Sequence, residues 1–477
     1  MHRRQLLAAA GACAAWPRRL HAHLHAQAAP AFSVGDLAHA QHLRELALAD
    51  GEAWRLVSAL TSEVGARPAG SDADKRAAAW ALAAFKRLQL ETPRVEPMHV
   101  RVWQRGAAQA RLTAPYPQPL VMAALGNSVA APAAGIEAEV AYYPDLKTLS
   151  ADTSERARGR IVFIDEATAR TRDGSGYGRA VAMRYAGATE AGKRGALALA
   201  IRSVGTSANR IAHTGAMSYE LQVPRIPAFA VSTPDADLIA RLATSTPGGG
   251  AALRMQFTLD ARERVEATTH NVIAEIKGSE LPDEIVLISA HLDSWDVGQG
   301  ALDDGAGVAI VTAATALIQR AAVQPQLRPR RTIRVVLFGN EENGFDGATA
   351  YSERYGHARH QLVGESDFGA AKVWRFNHRV AAPALPLMAP VAQLLAPLGV
   401  AWADAGRNEG NPGPDAAVLM RRHRWPAVAL TQDGSLYFDV HHTENDTLDK
   451  VDATALPHNV ACWAVVAWLA AQAPVSF

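Results

Sequence analysis

Five short stretches in the second half of the chain carry residues that could do chemistry together. They are His291-Leu292-Asp293-Ser294-Trp295-Asp296, Asp303-Asp304-Gly305, Asn340-Glu341-Glu342, Glu365-Ser366-Asp367 and His441-His442-Thr443-Glu444-Asn445-Asp446-Thr447. Singly, each has an ordinary structural reading. An acidic pair after a strand makes a solvated turn or a helix cap, and Asp303 or Asp304 could cap a helix beginning near Gly307. A lone histidine more often packs than ligates. In order, however, the stretches offer His, Asp, Glu, Asp and His. Two imidazoles and three carboxylates can hold two zinc ions when one carboxylate bridges, with a position left for water. Such a pair polarises a carbonyl and acidifies water, so the chemistry is hydrolysis without a nucleophilic side chain. Cys462, in an apolar helical stretch, reads as core packing.

These residues need a scaffold that ends several elements in one place. From His270 onward the chain alternates strand and helix. The pattern predicts strands over 271–276, 284–289, 332–338, 372–376 and 427–431, and helices over 308–320, 348–355, 387–398 and 457–471. Nearly continuous apolar strands between helices predict an α/β fold, a mixed but mostly parallel sheet covered by helices on both faces. In such sheets ligands collect beyond the carboxyl ends of the strands. His291 and the Glu341-Glu342 pair stand there. Upstream, 34–60 has helical spacing, Ser71 with Asp74 reads as a capping box for a helix to about Leu90, and 95–103 reads as a strand. From 116 to 266 the texture changes to short β-like runs (137–143, 160–165, 196–202, 226–231), one helix-like stretch (182–193) and a loop at 245–250. This predicts an inserted β-rich domain over 116–266, between catalytic parts at 34–115 and 267–477.

With 477 residues, two or three domains are expected. The balance of 48 Lys+Arg against 47 Asp+Glu gives a net charge of +1, which disfavours nucleic-acid binding. After the N-terminus no apolar run reaches the roughly 18 residues of a membrane span. Two cysteines, Cys13 and Cys462, exclude a disulfide framework and a cysteine-built zinc module. The start, MHRRQLLAAAGACAAW, followed by Ala26-Gln27-Ala28, predicts a signal peptide over 1–28. Arg3-Arg4 gives it the form of a twin-arginine signal, so the protein is expected to be exported, periplasmic or secreted. His21, His23 and His25 fall inside that leader.

The stretch from His291 to Gly300 with Asp303-Asp304 resembles the di-zinc exopeptidase family of aminopeptidases and glutamate carboxypeptidases, and within it the carboxypeptidase Q branch. The segments 198–204, His213-Thr214-Gly215 and 223–228 strengthen that resemblance. It implies the zinc exopeptidase fold with a protease-associated-like insert capping the cleft, a homodimer, and two zinc ions per subunit acting on dipeptides or short peptides. By the same resemblance Asp303 bridges, His291 and Asp367 complete one site, and Glu342 and His442 complete the other, with His441 the alternative histidine. Glu341 is the general base, Asp293 hydrogen-bonds the distal nitrogen of His291, and the Asp303–Asp304 peptide bond is cis. The sequence departs from the family at Gly413-Pro414-Asp415, where Gly-Thr-Asp or Gly-Ser-Asp is usual, so specificity need not transfer. Three rival activities share the fold: a zinc aminopeptidase, a one-zinc glutaminyl cyclase and an inactive binding protein. The complete ligand set argues against the last two. Arg421-Arg422-His423-Arg424 reads as a solvated basic turn.

Overall fold

The computed structural model describes residues 31–244, 252–402 and 407–477. The leader and the 245–250 loop of the sequence reading lie outside them. The centre of the sheet is Leu281–His291, whose residues from Glu284 onward are all buried. Successive side chains of a strand alternate faces, and here both faces meet apolar partners. Val286, Ile288 and Ala290 pack into one cluster with the helices Ala306–Ala321 and Leu456–Gln472. Ile285 and Leu287 pack into another with Asp346–Tyr355 and Pro414–His423. That two-sided burial is why this strand reads as continuously apolar.

Arg331–Phe338 and Arg359–Glu365 flank the central strand, both parallel to it. Ala427–Gln432 pairs parallel with Arg359–Glu365, and Val373–Arg379 lies antiparallel beyond it. On the other side Arg254–Ile276 runs antiparallel to Arg331–Phe338. This 23-residue strand forms a long ribbon with the 24-residue Glu91–Ala114 and continues into a second body of sheet. There Ile136–Tyr143, Ile161–Ile164, Ala198–Arg202 and Ala228–Val231 are parallel neighbours over their own apolar clusters. The large, mostly parallel sheet with helices on both faces is the expected fold class. Among the described residues one helical stretch, Ala301–Ala321, is long and apolar enough to cross a membrane, and it is entirely buried in the core.

Several elements differ from the sequence reading for local reasons. The 34–60 run splits into Val34–Leu48 and Glu52–Glu63, because Gly51 interrupts it and the Asp50 carboxylate accepts from Glu52 N at 2.6 Å. Helix Asp72–Arg87 is capped by the Ser71 side chain, but the Asp74 carboxylate accepts from Gly70 N, so the box is not reciprocal; the helix also stops short of Leu90. The 95–103 strand extends to 24 residues because pairing with Arg254–Ile276 carries it through register shifts that break the alternation. The 387–398 helix is regular only over Met388–Leu395, with 3₁₀ turns containing Pro386 and Pro397 at its ends. The basic run near Arg421 is solvated as expected but helical rather than a loop. It is the C-terminal turn of Pro414–His423, where cations complement the helix dipole. A boundary at 266/267 falls inside Arg254–Ile276, which runs through both bodies of sheet.

Candidate metal centre

Strand ends and the loops that follow them bring the five expected ligands together. His291 ends the central strand, and the chain then crosses a glycine loop into the Asp303-Asp304 turn that opens helix Ala306–Ala321. The peptide bond between the two aspartates is cis. Arg331–Phe338 runs into Asn340, in the left-handed region at φ 62°, and the chain turns there to present Glu341 and Glu342. Asparagine adopts that conformation more readily than most residues. Arg359–Glu365 delivers Asp367, with Ser366 N bonded to Ser289 O at 2.9 Å. Helix Ala306–Ala321 approaches this segment so closely that a Cβ on Gly307 would lie 1.8 Å from Ser366 O.

His291 Nε2 lies 3.1 Å from Asp303 Oδ1 and 3.6 Å from Asp367 Oδ1. His442 Nε2 lies 3.2 Å from Asp303 Oδ2 and 3.1 Å from Glu342 Oε2. Asp303 thus turns one oxygen to each histidine. His441 Nε2 also approaches Asp303, at 3.5 Å, with its ring stacked on that of His442 at 3.5 Å between centroids. Only His442 stands between Asp303 and Glu342. The Asp304 carboxylate accepts from His291 N at 3.2 Å and Gly307 N at 3.0 Å, so of the two aspartates it is the helix cap.

The donor set fits metal ions. Asp303 Oδ2 and Glu342 Oε1 are buried without a hydrogen-bond partner among the described residues, and His291, Asp303 and Glu342 offer ligand atoms within 4.8 Å of one another. Electrostatics agrees. Burial alone would depress His442, but Glu342 and Asp303 push it up to about 9. Burial alone would raise Asp303, yet the hydrogen bond with His291 and the close approach of His442 and His441 hold it well below the usual carboxylate range. Without metal, protons on the histidines stand where cations are wanted.

Asp293 differs from its expected role. The distal nitrogen of His291, Nδ1, donates to the main-chain carbonyl of Asp293 at 3.0 Å, while the Asp293 carboxylate is 3.8 Å away. That carboxylate instead accepts from Glu341 N at 3.0 Å and Glu342 N at 3.4 Å, capping the turn that carries both glutamates. The backbone, which any side chain supplies, already fixes the histidine tautomer. We therefore expect Asp293→Ala to keep its zinc while turnover falls about 10–100-fold, as when an outer-sphere partner is lost. Zinc analysis beside dipeptide kinetics checks this; loss of metal would restore the side chain as the partner of His291.

Two further residues support the ligands, and neither role was assigned from the sequence. Arg67, fully buried in the turn-rich 65–71 loop, donates to Leu292 O, Gln299 O and Gly300 O and straps the ligand loop. Asp446 accepts from Leu302 N at 2.6 Å and Asp303 N at 3.2 Å, aiming the central aspartate; its only sequence signal was its place after His442-Thr443. A cavity of about 490 Å³ opens over the cluster, lined by Glu341, Asp367 and His442 and, from the 116–266 segment, by Tyr177, Arg184 and Met217.

Peptidase family M28 matches residues 271–467. The chain is 34% identical to carboxypeptidase Q of Xenopus laevis over 428 residues, covering 89% of this chain and 87% of that protein. It is 34% identical to human carboxypeptidase Q over 446 residues, covering 92% and 90%. Among solved structures, a peptidase M28 precursor from Shewanella amazonensis superposes with a TM-score of 0.87 at 44% identity, covering 93% of this chain and 98% of that one. An aminopeptidase from Aneurinibacillus shares the fold, with a TM-score of 0.61 at 17% identity over 92% and 97% of the two chains. Donor set, sheet and relatives agree: the chain belongs to peptidase family M28, as a metallo-exopeptidase similar to carboxypeptidase Q.

Proposed function

We propose that this exopeptidase hydrolyses dipeptides or short peptides with two zinc ions per subunit. His291, Asp303 and Asp367 would hold one ion, and Asp303, Glu342 and His442 the other. The observation that carries this reading is that each oxygen of Asp303 faces one histidine, His291 or His442, while Asp367 lies against the first and Glu342 against the second. Bound there, zinc would polarise a peptide carbonyl and acidify water. Glu341 is the general base. Its carboxylate makes no hydrogen bond among the described residues, and Glu341 lines the cavity beside the ligands. It takes the proton of the attacking water and returns it to the leaving amine. Asp293 holds the main chain of Glu341 and Glu342 in register for this.

The 116–266 segment forms an inserted cap, a reading supported by its place in the cavity wall, and it restricts the cleft to short substrates. Export through the 1–28 leader, by the twin-arginine route, and a homodimeric state complete the proposal. A zinc aminopeptidase is the second reading, because the same centre serves either end of a peptide. Kinetics on free, N-blocked and C-amidated dipeptides decides between them. We expect free and N-blocked dipeptides to be cleaved and C-amidated ones to lose at least tenfold in kcat/KM. The reverse order would make the enzyme an aminopeptidase, and loss with both blocked forms a strict dipeptidase.

A further inference from the structure

The loop that carries His442 is held from outside the catalytic sheet. His442 lies in the left-handed region at φ 60°, a conformation that a non-glycine residue keeps only where its surroundings fix it. Some fixing contacts lie within the loop, such as His441 N to Tyr437 O at 3.0 Å and Thr443 N to Val440 O at 3.0 Å; others come from the 116–266 segment. His213 Nδ1 is 2.7 Å from His441 O, and because a carbonyl only accepts, this nitrogen carries the proton and donates. Thr214 N donates to His442 O at 3.0 Å, and His442 Nδ1 lies 3.4 Å from Thr214 O. Just before them, Thr206 N donates to Phe438 O at 2.9 Å and Thr206 Oγ1 to Asp439 at 2.7 Å.

The clamp is itself anchored. His213 N donates to Ser203 Oγ at 2.9 Å, and Ser203 Oγ to Val231 O at 2.8 Å. Thr214 Oγ1 donates to Ala124 O at 2.7 Å and accepts from Arg105 at 3.0 Å. His213 and Thr214 are fully enclosed, and the other ring nitrogen of His213 has no hydrogen-bond partner among the described residues. The one hydrogen bond of that ring therefore goes to the backbone beside the ligand.

We propose that His213 and Thr214 are positioning residues for the metal centre. They hold the main chain of His441 and His442 so that His442 presents Nε2 to Asp303 and Glu342. The 116–266 segment is then a working part of the metal centre as well as a cover for the cleft. The inference rests on the reading of His442 as a zinc ligand.

The test is zinc titration of the metal-stripped full chain against a chromophoric chelator, with thermal unfolding of the same metal-free samples. His213→Phe and the smaller His213→Leu remove the donor; His213→Asn returns an N–H near the same place; His442→Ala is the control. We expect both donor-free variants to lose about 10–100-fold in affinity at one zinc site, with the second site and the melting temperature of the metal-free protein unchanged. His213→Asn should recover most of that loss. His442→Ala should lose one zinc outright. Wild-type affinities in His213→Phe and His213→Leu, beside the loss in His442→Ala, would overturn the clamp alone. So would a fall in metal-free stability shared by all three His213 variants, or failure of both donor-free variants to fold, either of which would make His213 a core residue. Two wild-type zinc affinities in His442→Ala would instead overturn the ligand assignment beneath it.

Discussion

Glu341→Gln should bind zinc like the wild type, melt like the wild type and turn over dipeptides about 10²–10⁴-fold more slowly, the usual contribution of a general base. Glutamine keeps the size of the side chain and removes the lone pair that takes the proton. It leaves intact the contact that builds the turn, since Asp293 accepts from the main-chain nitrogen of Glu341. The neighbouring Glu342→Gln should behave differently. The Glu342 carboxylate is 3.1 Å from His442 Nε2, so its neutralisation should weaken one zinc site. The pair of variants therefore separates base from ligand at adjacent positions. A metal-replete Glu341→Gln enzyme with near-normal turnover would mean that Glu341 only shapes the turn and that another group takes the proton.

Asp303→Ala should be the most damaging single ligand change. One Asp303 oxygen faces His291 and the other His442, at 3.1 and 3.2 Å, so the substitution strips an oxygen from both sites at once. The expected loss of affinity at each site exceeds the about 10–100-fold typical of an outer-sphere partner, and turnover should fall to background. His291→Ala or His442→Ala should empty one site and weaken the other less. Zinc content after dialysis, measured across the three variants, checks the order. Retention of one tight zinc in Asp303→Ala would remove the bridge from the centre.

What could be read in the chain beforehand follows from how each element is buried. Residues 284–291 and Arg331–Phe338 are buried throughout, so their inner positions are largely apolar and the strands are plain in the sequence, while the buried Arg331 and Arg334 are paired with Glu284 and Glu275. Arg359–Glu365 was not recognised as a strand although it is almost wholly buried. Its polar start is satisfied by tertiary contacts, with His360 bonded to Tyr351 at 2.8 Å and stacked on Trp425. The candidate ligands are legible because only a few residue types bind metal ions and most of these stand just past strands. Their supports are not. Arg67 and His213 act by donating to main-chain carbonyls, and a carbonyl leaves no mark in the sequence of the segment that accepts. The exchange at Asp293 has the same origin, because its own carbonyl does what the carboxylate was expected to do.

The central claim is a dinuclear centre built on Asp303, and stepwise reconstitution tests it most directly. The metal-stripped protein is titrated with zinc while bound metal and dipeptide turnover are followed in the same sample. Two equivalents per chain are expected at saturation, with neither His291→Ala nor His442→Ala binding the second tightly. Full activity with saturation at one equivalent, unchanged by loss of His442, would contradict it.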